Sequence, residues 1–110
     1  MTVQKIAIPD LDSTPYCIVT QVLNNTTYYF EYTWNIRHDK AYLSIYIILN
    51  DEKIYLLRNK LLTVGINLSK YIYNSDNWTG NLYFEYSDFS YDFDYNQNNI
   101  STDYVLRYVI

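Results

Sequence analysis

Alternation between apolar and polar side chains dominates this chain, and few residues interrupt it. In the stretch TYYFEYTWN, the side chains of Tyr28, Phe30, Tyr32 and Trp34 fall on one face of an extended backbone. The other face carries Thr27, Tyr29, Glu31, Thr33 and Asn35. Only two glycines and two prolines occur in 110 residues, so the alternation is rarely broken. This pattern predicts a β-strand with one buried face.

The same period of two recurs along most of the chain and predicts seven or eight short strands. They are expected at residues 2–8, 17–23, 27–35, 41–49, 54–57, 60–64, 81–86 and 102–110. A four-residue turn at 50–53 is expected to join two of them as a hairpin, within an antiparallel meander. Leu68, Tyr71 and Ile72 are spaced for a short helical turn.

The predicted fold class is therefore mainly all-β. We expect a compact antiparallel β-sandwich or small barrel of seven to eight short strands, with one short helical turn near residues 67–73. The length is that of a single domain. Residues 1–16 would form a leading strand or arm and residues 17–110 the main sandwich.

Composition argues against several classes of partner. The net charge is −4, and the eight lysines and arginines are scattered singly, whereas a nucleic-acid surface needs clustered positive charge. The longest apolar stretch, 41–49, is much shorter than the ~20 residues that cross a bilayer. The first 15 residues contain acids and prolines before any apolar run, so no secretory targeting is predicted. Cys17 is the single cysteine, which excludes an internal disulfide.

No catalytic arrangement is visible in the sequence. His38 is the only histidine and stands next to Asp39, but a His–Asp pair needs a nucleophile, and none lies in a known motif. There is also no glycine-rich phosphate loop. The sequence predicts that the protein is not an enzyme and binds no cofactor.

The segment 87–99, SDFSYDFDYNQNN, contains part of a calcium-loop pattern. Asp92, Asp94 and Asn96 occupy the first, third and fifth positions, and Asp103 the twelfth. Gln97 stands at the sixth position, where the sharp turn needs glycine. We therefore predict a connector between strands and no metal site.

Aromatic rings in the same segment alternate with polar residues, which suits packing. They pack either on the protein's own sheet or on a partner, and the sequence leaves both interpretations open. Trp78, in a polar turn, either covers the open end of the sandwich or contacts a partner. Fifteen tyrosines in the chain also favour interfaces. The candidate partner contacts are Trp78, Phe89, Tyr91, Asp92, Phe93, Asp94 and Tyr95.

The order of these features resembles the small bacteriophage baseplate plug family, over about residues 28 to 110. The residues that carry the resemblance are Tyr28, Phe30, Tyr32, Trp34, Asn35 and Arg37; Tyr42, Leu43 and Ile45; Lys60, Leu61, Gly65, Leu68 and Tyr71; Gly80 and Leu82; Asp88, Asp92 and Asp94; and Leu106 and Tyr108. Residues 1–23 correspond to the variable leading strands of that family.

The resemblance implies a non-enzymatic virion component. Such a protein would lie in the tail baseplate after assembly in the host cytoplasm, in multiple symmetric copies. It would contact hub and tail tube proteins and help close or organise the end of the tube, with no nucleic acid or membrane as partner.

Two alternatives remain open at this point. The first is another tail structural protein, such as a hub or tube-initiating subunit. The second is a small carbohydrate-binding or peptide-binding β-sandwich that uses its tyrosines as a stacking face.

Overall fold

A computed structural model describes residues 3–73, 75–87 and 95–110 of the chain. Within them lie seven strands: β1 (Val3–Ala7), β2 (Tyr16–Leu23), β3 (Thr26–Asn35), β4 (Lys40–Leu49), β5 (Glu52–Leu61), β6 (Asn81–Tyr86) and β7 (Tyr104–Val109). Two 3-10 turns, Leu68–Tyr71 and Ser75–Asn77, precede β6, and a short α-helix, α1 (Ile100–Asp103), precedes β7.

The strands form two antiparallel sheets. One has the order β1-β7-β6 and the other is the meander β2-β3-β4-β5. Buried side chains from both sheets join in a common hydrophobic core. The predicted antiparallel sandwich and the helical turn near residues 67–73 are confirmed. The strands of the described residues do not close into a barrel.

β3 shows why the alternation was informative. Tyr28, Phe30, Tyr32 and Trp34 are all buried, and the residues between them are only partly buried. Because successive side chains of a strand point to opposite faces, one face of β3 supplies the core and the other lies on the outside of the sandwich.

The loops of the meander are tighter than predicted. β4 ends at Leu49 and β5 begins at Glu52, so the prediction of a four-residue turn at 50–53 is wrong. The two loop residues, Asn50 and Asp51, have φ of 53° and 64°. Asn and Asp tolerate this left-handed conformation, which a two-residue hairpin of type I′ requires. The loop at 24–25 has the same form, with two asparagines at positive φ.

β5 is one strand where the sequence predicted two. The register between β4 and β5 shifts on both sides of Ile45, so β5 carries extra residues and bulges. Asn59, at a φ of 47°, lies in one bulge, and its N–H donates to the hydroxyl of buried Ser44 at 2.9 Å. The bulge therefore provides a partner for the one polar side chain buried in β4.

Candidate interaction surfaces

The outer face of the four-stranded sheet exposes apolar side chains. Tyr16, Ile18 and Val22 of β2 are 54%, 41% and 61% exposed, and Ile48 of β4 is 47% exposed. The strand registers place all four on the side of the sheet that faces away from the core. With the partly exposed outward residues Tyr29, Tyr42 and Tyr55, they form a surface that we call the tyrosine face.

Tyrosine rings line the centre of this face. The registers align Tyr29 with Tyr46 and Tyr46 with Tyr55. Tyr29 and Tyr46 are stacked, with ring centroids 5.0 Å apart and planes at 5°, and Tyr55 lies 5.3 Å from Tyr46. Lys53 and Arg58 place their cations 4.8 Å and 4.4 Å from the rings of Tyr46 and Tyr55. The rings are thus held in fixed positions, and the two cations lie over them.

A carboxylate on the tyrosine face is held by a phenol. The Tyr16 hydroxyl donates to Oε2 of Glu31 at 2.7 Å. This hydrogen bond, together with desolvation, raises the pKa of Tyr16 to about 12, because the phenol must stay protonated to donate. The charge of Glu31 is therefore paired with a fixed donor.

The outer face of the three-stranded sheet differs in chemistry. Arg107 donates from Nε and Nη2 to the two carboxylate oxygens of Glu85 at 2.8 Å and 2.7 Å, and this bond raises the pKa of Arg107. The guanidinium also lies 4.9 Å from the ring of Tyr83. A bidentate ion pair thus occupies this face, in contrast to the exposed apolar residues of the tyrosine face.

Trp78 lies across one end of the sandwich and is half-buried. Its ring contacts Tyr28 of one sheet at 5.0 Å and Tyr108 of the other at 5.6 Å. Its Nε1–H donates to the Ser69 hydroxyl at 3.1 Å and to the Gly80 carbonyl at 3.0 Å. Trp78 therefore covers the end of the sandwich, which is one of the two positions that the sequence left open. Part of the ring is still exposed, and contact of that part with a partner protein stays a prediction.

Tyr95 closes the other end of the sandwich and is buried. Its hydroxyl donates to the Leu62 carbonyl at 2.7 Å and accepts from the Ala41 N–H at 3.1 Å. Its ring lies 6.0 Å from Trp34 and 5.4 Å from Phe84, which belong to different sheets. Tyr95 thus packs on the protein's own core, one of the two interpretations left open for this segment.

The other predicted contacts of this segment, Phe89, Tyr91, Asp92, Phe93 and Asp94, lie outside the described residues. Asn96 of the calcium-loop pattern is described. Its Oδ1 accepts from the backbone N–H groups of Asn98 and Asn99 at 2.9 Å, so this amide organises the turn before α1. Across the described ranges no three His, Cys, Asp or Glu side chains are grouped for a metal ion.

His38 lies at a shallow depression at one end of the tyrosine face. The depression has a volume of about 370 Å³ and is lined by Thr33, Asn35, His38, Tyr42 and Asn59. Nδ1 of His38 is 3.1 Å from the Tyr42 hydroxyl. Among the described residues, the lining supplies hydroxyls, amides and one imidazole, without the carboxylate that would orient the imidazole for catalysis.

The family model described as Cyanophage baseplate Pam3 plug gp18 matches residues 3–110. The chain belongs to this family. The resemblance predicted from the sequence is thereby confirmed, and the match extends through β1 and β2, which the resemblance treated only as variable leading strands.

Membership in the baseplate plug family identifies this protein as a structural component of a phage baseplate, located in the virion tail. A search of curated proteins found no significant match. Among the described residues, every helix is too short or too polar to span a bilayer.

The residues of the tyrosine face were not among the partner contacts predicted from the sequence, although β2 carried a signal. Its sequence, YCIVTQVL, is apolar on both faces and contains no charged residue. A strand at the edge of a sheet that keeps apolar residues on its outward face exposes them to solvent, and this combination is typical of a contact surface.

Proposed function

We propose that this protein is a non-enzymatic plug subunit that helps close or organise the end of the tail tube. The observation that carries the proposal is the tyrosine face, found on a member of a baseplate plug family. We infer that this face contacts hub or tail tube proteins, in multiple copies, after assembly in the host cytoplasm.

The chemistry of the face supports a protein partner. Tyrosine is enriched at interfaces because its ring buries a large apolar area while its hydroxyl accepts or donates a hydrogen bond. The partly exposed rings of Tyr29 and Tyr55 are already ordered by contacts with the buried ring of Tyr46, and a cation lies over Tyr55. Binding a partner therefore requires little further loss of side-chain freedom.

The ends of the sandwich support a rigid role. Trp78 joins the two sheets at one end and Tyr95 joins them at the other. A sandwich tied at both ends presents a surface of fixed shape. A plug acts by occlusion, and fixed complementary surfaces hold it in place until the baseplate changes conformation.

The experiment is co-purification of tagged protein with the hub and tail tube proteins of the same phage. Ile48→Lys places a charge on the tyrosine face, at a residue 47% exposed. Val3→Lys makes a comparable change on the other sheet, at a residue 48% exposed. We expect the wild type and Val3→Lys to retain hub or tube protein and Ile48→Lys to lose it.

Two results would contradict the proposal. Failure of the wild type to retain any hub or tube protein would remove the plug assignment. Equal retention by Ile48→Lys and Val3→Lys would remove the tyrosine face as the contact. Titration of the wild type with oligosaccharides, followed by tryptophan fluorescence, tests the ligand-binding alternative, and we expect no change.

A further inference from the structure

We propose that β2 is a docking edge for a second copy of this chain, through antiparallel pairing of β2 with β2. This contact between copies goes beyond the proposed function. It requires an open strand edge, backbone groups that point outward, and side chains that tolerate their own copies opposite them.

The four sheet edges differ in how they are covered. On the edge formed by β5, the Tyr73 N–H donates to the Leu56 carbonyl at 2.9 Å, and on the edge formed by β6, the Gly65 N–H donates to the Phe84 carbonyl at 2.8 Å. β1 is short and carries Lys5. β2 has eight residues, and among the described residues only β3 pairs with it.

The outward backbone groups of β2 can be assigned from its hairpin with β3. In a two-residue hairpin the residues that flank the loop, here Leu23 and Thr26, form a hydrogen-bonded pair. Such pairs alternate along the ladder, so the odd-numbered residues of β2 bond to β3. The Trp34 N–H donates to the Pro15 carbonyl at 2.8 Å. This bond continues the same alternation, because Pro15 is also odd-numbered.

The even-numbered residues therefore direct their N–H and C=O groups away from β3. These residues are Tyr16, Ile18, Thr20 and Val22. All four side chains also lie on the tyrosine face and are exposed. The free edge thus offers four backbone donors and four acceptors in a row, which is the template that an added strand requires.

The sequence of β2 favours its own copy as the occupant. The chain carries 20 charged residues, yet none lies in β2, so two copies meet without like-charge repulsion along the strand. Lysine, proline and bulges, which protect natural edges, are all lacking in this strand.

The register of the β2–β2 pairing is the one that pairs all four even-numbered residues of each copy. Antiparallel pairing of two copies sets Tyr16 opposite Val22 of the second copy and Ile18 opposite Thr20 of the second copy. Each of these pairs exchanges two backbone hydrogen bonds, about eight in total. An aromatic residue opposite a β-branched residue is a favourable cross-strand pair. The paired strands would join two tyrosine faces into one continuous surface.

The first test is amide hydrogen exchange on the purified wild-type chain at increasing concentration. The odd-numbered amides Val19 and Gln21 are bonded to β3 and should be protected at every concentration. We expect protection of Ile18, Thr20 and Val22 to rise at least tenfold as the protein is concentrated. Even-numbered amides that stay unprotected at high concentration would overturn the proposal.

The second test compares two variants by sedimentation velocity. Thr20→Pro removes an outward N–H without removing a bond to β3, and Thr20→Ala keeps the N–H. We expect the wild type and Thr20→Ala to shift from 13.3 kDa toward twice that mass with concentration, and Thr20→Pro to remain monomeric. Dimers of Thr20→Pro, or a wild type that is monomeric throughout, would contradict the pairing.

Both tests use the purified chain alone. Their outcome is therefore independent of whether hub or tube proteins are retained in the co-purification. If Thr20→Pro does not fold, the hydrogen-exchange pattern of the wild type alone decides whether β2 pairs with β2.

Discussion

The ring of Trp78 lies edge-on to the ring of Tyr28, with centroids 5.0 Å apart and planes at 63°. The Tyr28 hydroxyl also donates to the Asn77 carbonyl at 2.9 Å, and the Tyr108 hydroxyl donates to the Thr79 carbonyl. The two residues that flank Trp78 in the chain are thus held by tyrosines of opposite sheets. A polar turn thereby becomes the link between the two layers.

Replacement of Trp78 should weaken the whole sandwich. We expect Trp78→Ala to lower the free energy of unfolding by about 3 kcal/mol, because the ring contacts to both sheets are lost. Trp78→Phe keeps a ring but removes the Nε1 donor, at a cost of about 1 kcal/mol. Urea denaturation measures both values. Tyr73→Ala, at a residue 46% exposed, is the control, and an equal loss in that variant would contradict the linking role.

Removal of two tyrosine hydroxyls in the core should affect stability differently. Within the described part of the chain the buried Tyr32 hydroxyl has no hydrogen-bond partner, so Tyr32→Phe removes an uncompensated polar group. We expect unchanged stability or a gain of about 1 kcal/mol. Tyr95→Phe leaves the Leu62 carbonyl and the Ala41 N–H without that hydroxyl, and we expect a loss of about 2 kcal/mol.

Thermal and urea unfolding of these two variants supply the measurement. The chemical change is the same in both variants, so general effects of losing a tyrosine hydroxyl cancel in the comparison. Comparable losses of stability in Tyr32→Phe and Tyr95→Phe would contradict the difference in their hydrogen bonding.

Much of the fold could be predicted from local pattern, and the reason is visible in β3. Its side chains alternate strictly, so the buried face follows from strand geometry alone. The β5 bulges could not be predicted in this way. The bulge that contains Asn59 involves Ser44 of a neighbouring strand, which meets the Asn59 N–H only after the sheet has formed.

The interaction surface was harder to predict than the core. The rings of segment 87–99 alternate in sequence, but alternation does not say which surface a ring meets. For Tyr95 the answer depends on Trp34 and Phe84, which are distant in the sequence. The apolar residues of β2 are exposed because they lie on the outer face of the four-stranded sheet, and which face is outward becomes clear only once the two sheets have packed.

The two glycines should differ in their tolerance of a methyl group. Gly80 has a φ of +100°, and a Cβ there would lie 2.8 Å from the Val109 carbonyl oxygen and 2.9 Å from the Tyr108 ring. Gly65 has a φ of +84° with open space around the same position. We expect Gly65→Ala to cost about 1 kcal/mol from backbone strain alone, and Gly80→Ala at least about 2 kcal/mol more. Equal unfolding midpoints would contradict this difference.

Alkaline pH should destabilise the fold. Burial raises the pKa of Tyr28 and Tyr108 above the ordinary value, and it does the same for Tyr32. An unfolded chain ionises its phenols near pH 10, so these tyrosines contribute their full stability below that pH. Their contribution is lost as the pH rises through the raised values of the folded state. Urea midpoints measured from neutral to strongly alkaline pH should be level and then fall above about pH 10.

The phenol of Tyr16 offers a direct test of the geometry of the tyrosine face. Its pKa of about 12 depends first on the hydrogen bond to Glu31, so Glu31→Gln should return the pKa toward the ordinary value of about 10. Spectrophotometric titration of wild type and variant should show one tyrosine shifting to lower pH. Tyr16→Phe identifies that tyrosine by removing it from the curve. Identical curves for the wild type and Glu31→Gln would show that this hydrogen bond does not form in solution.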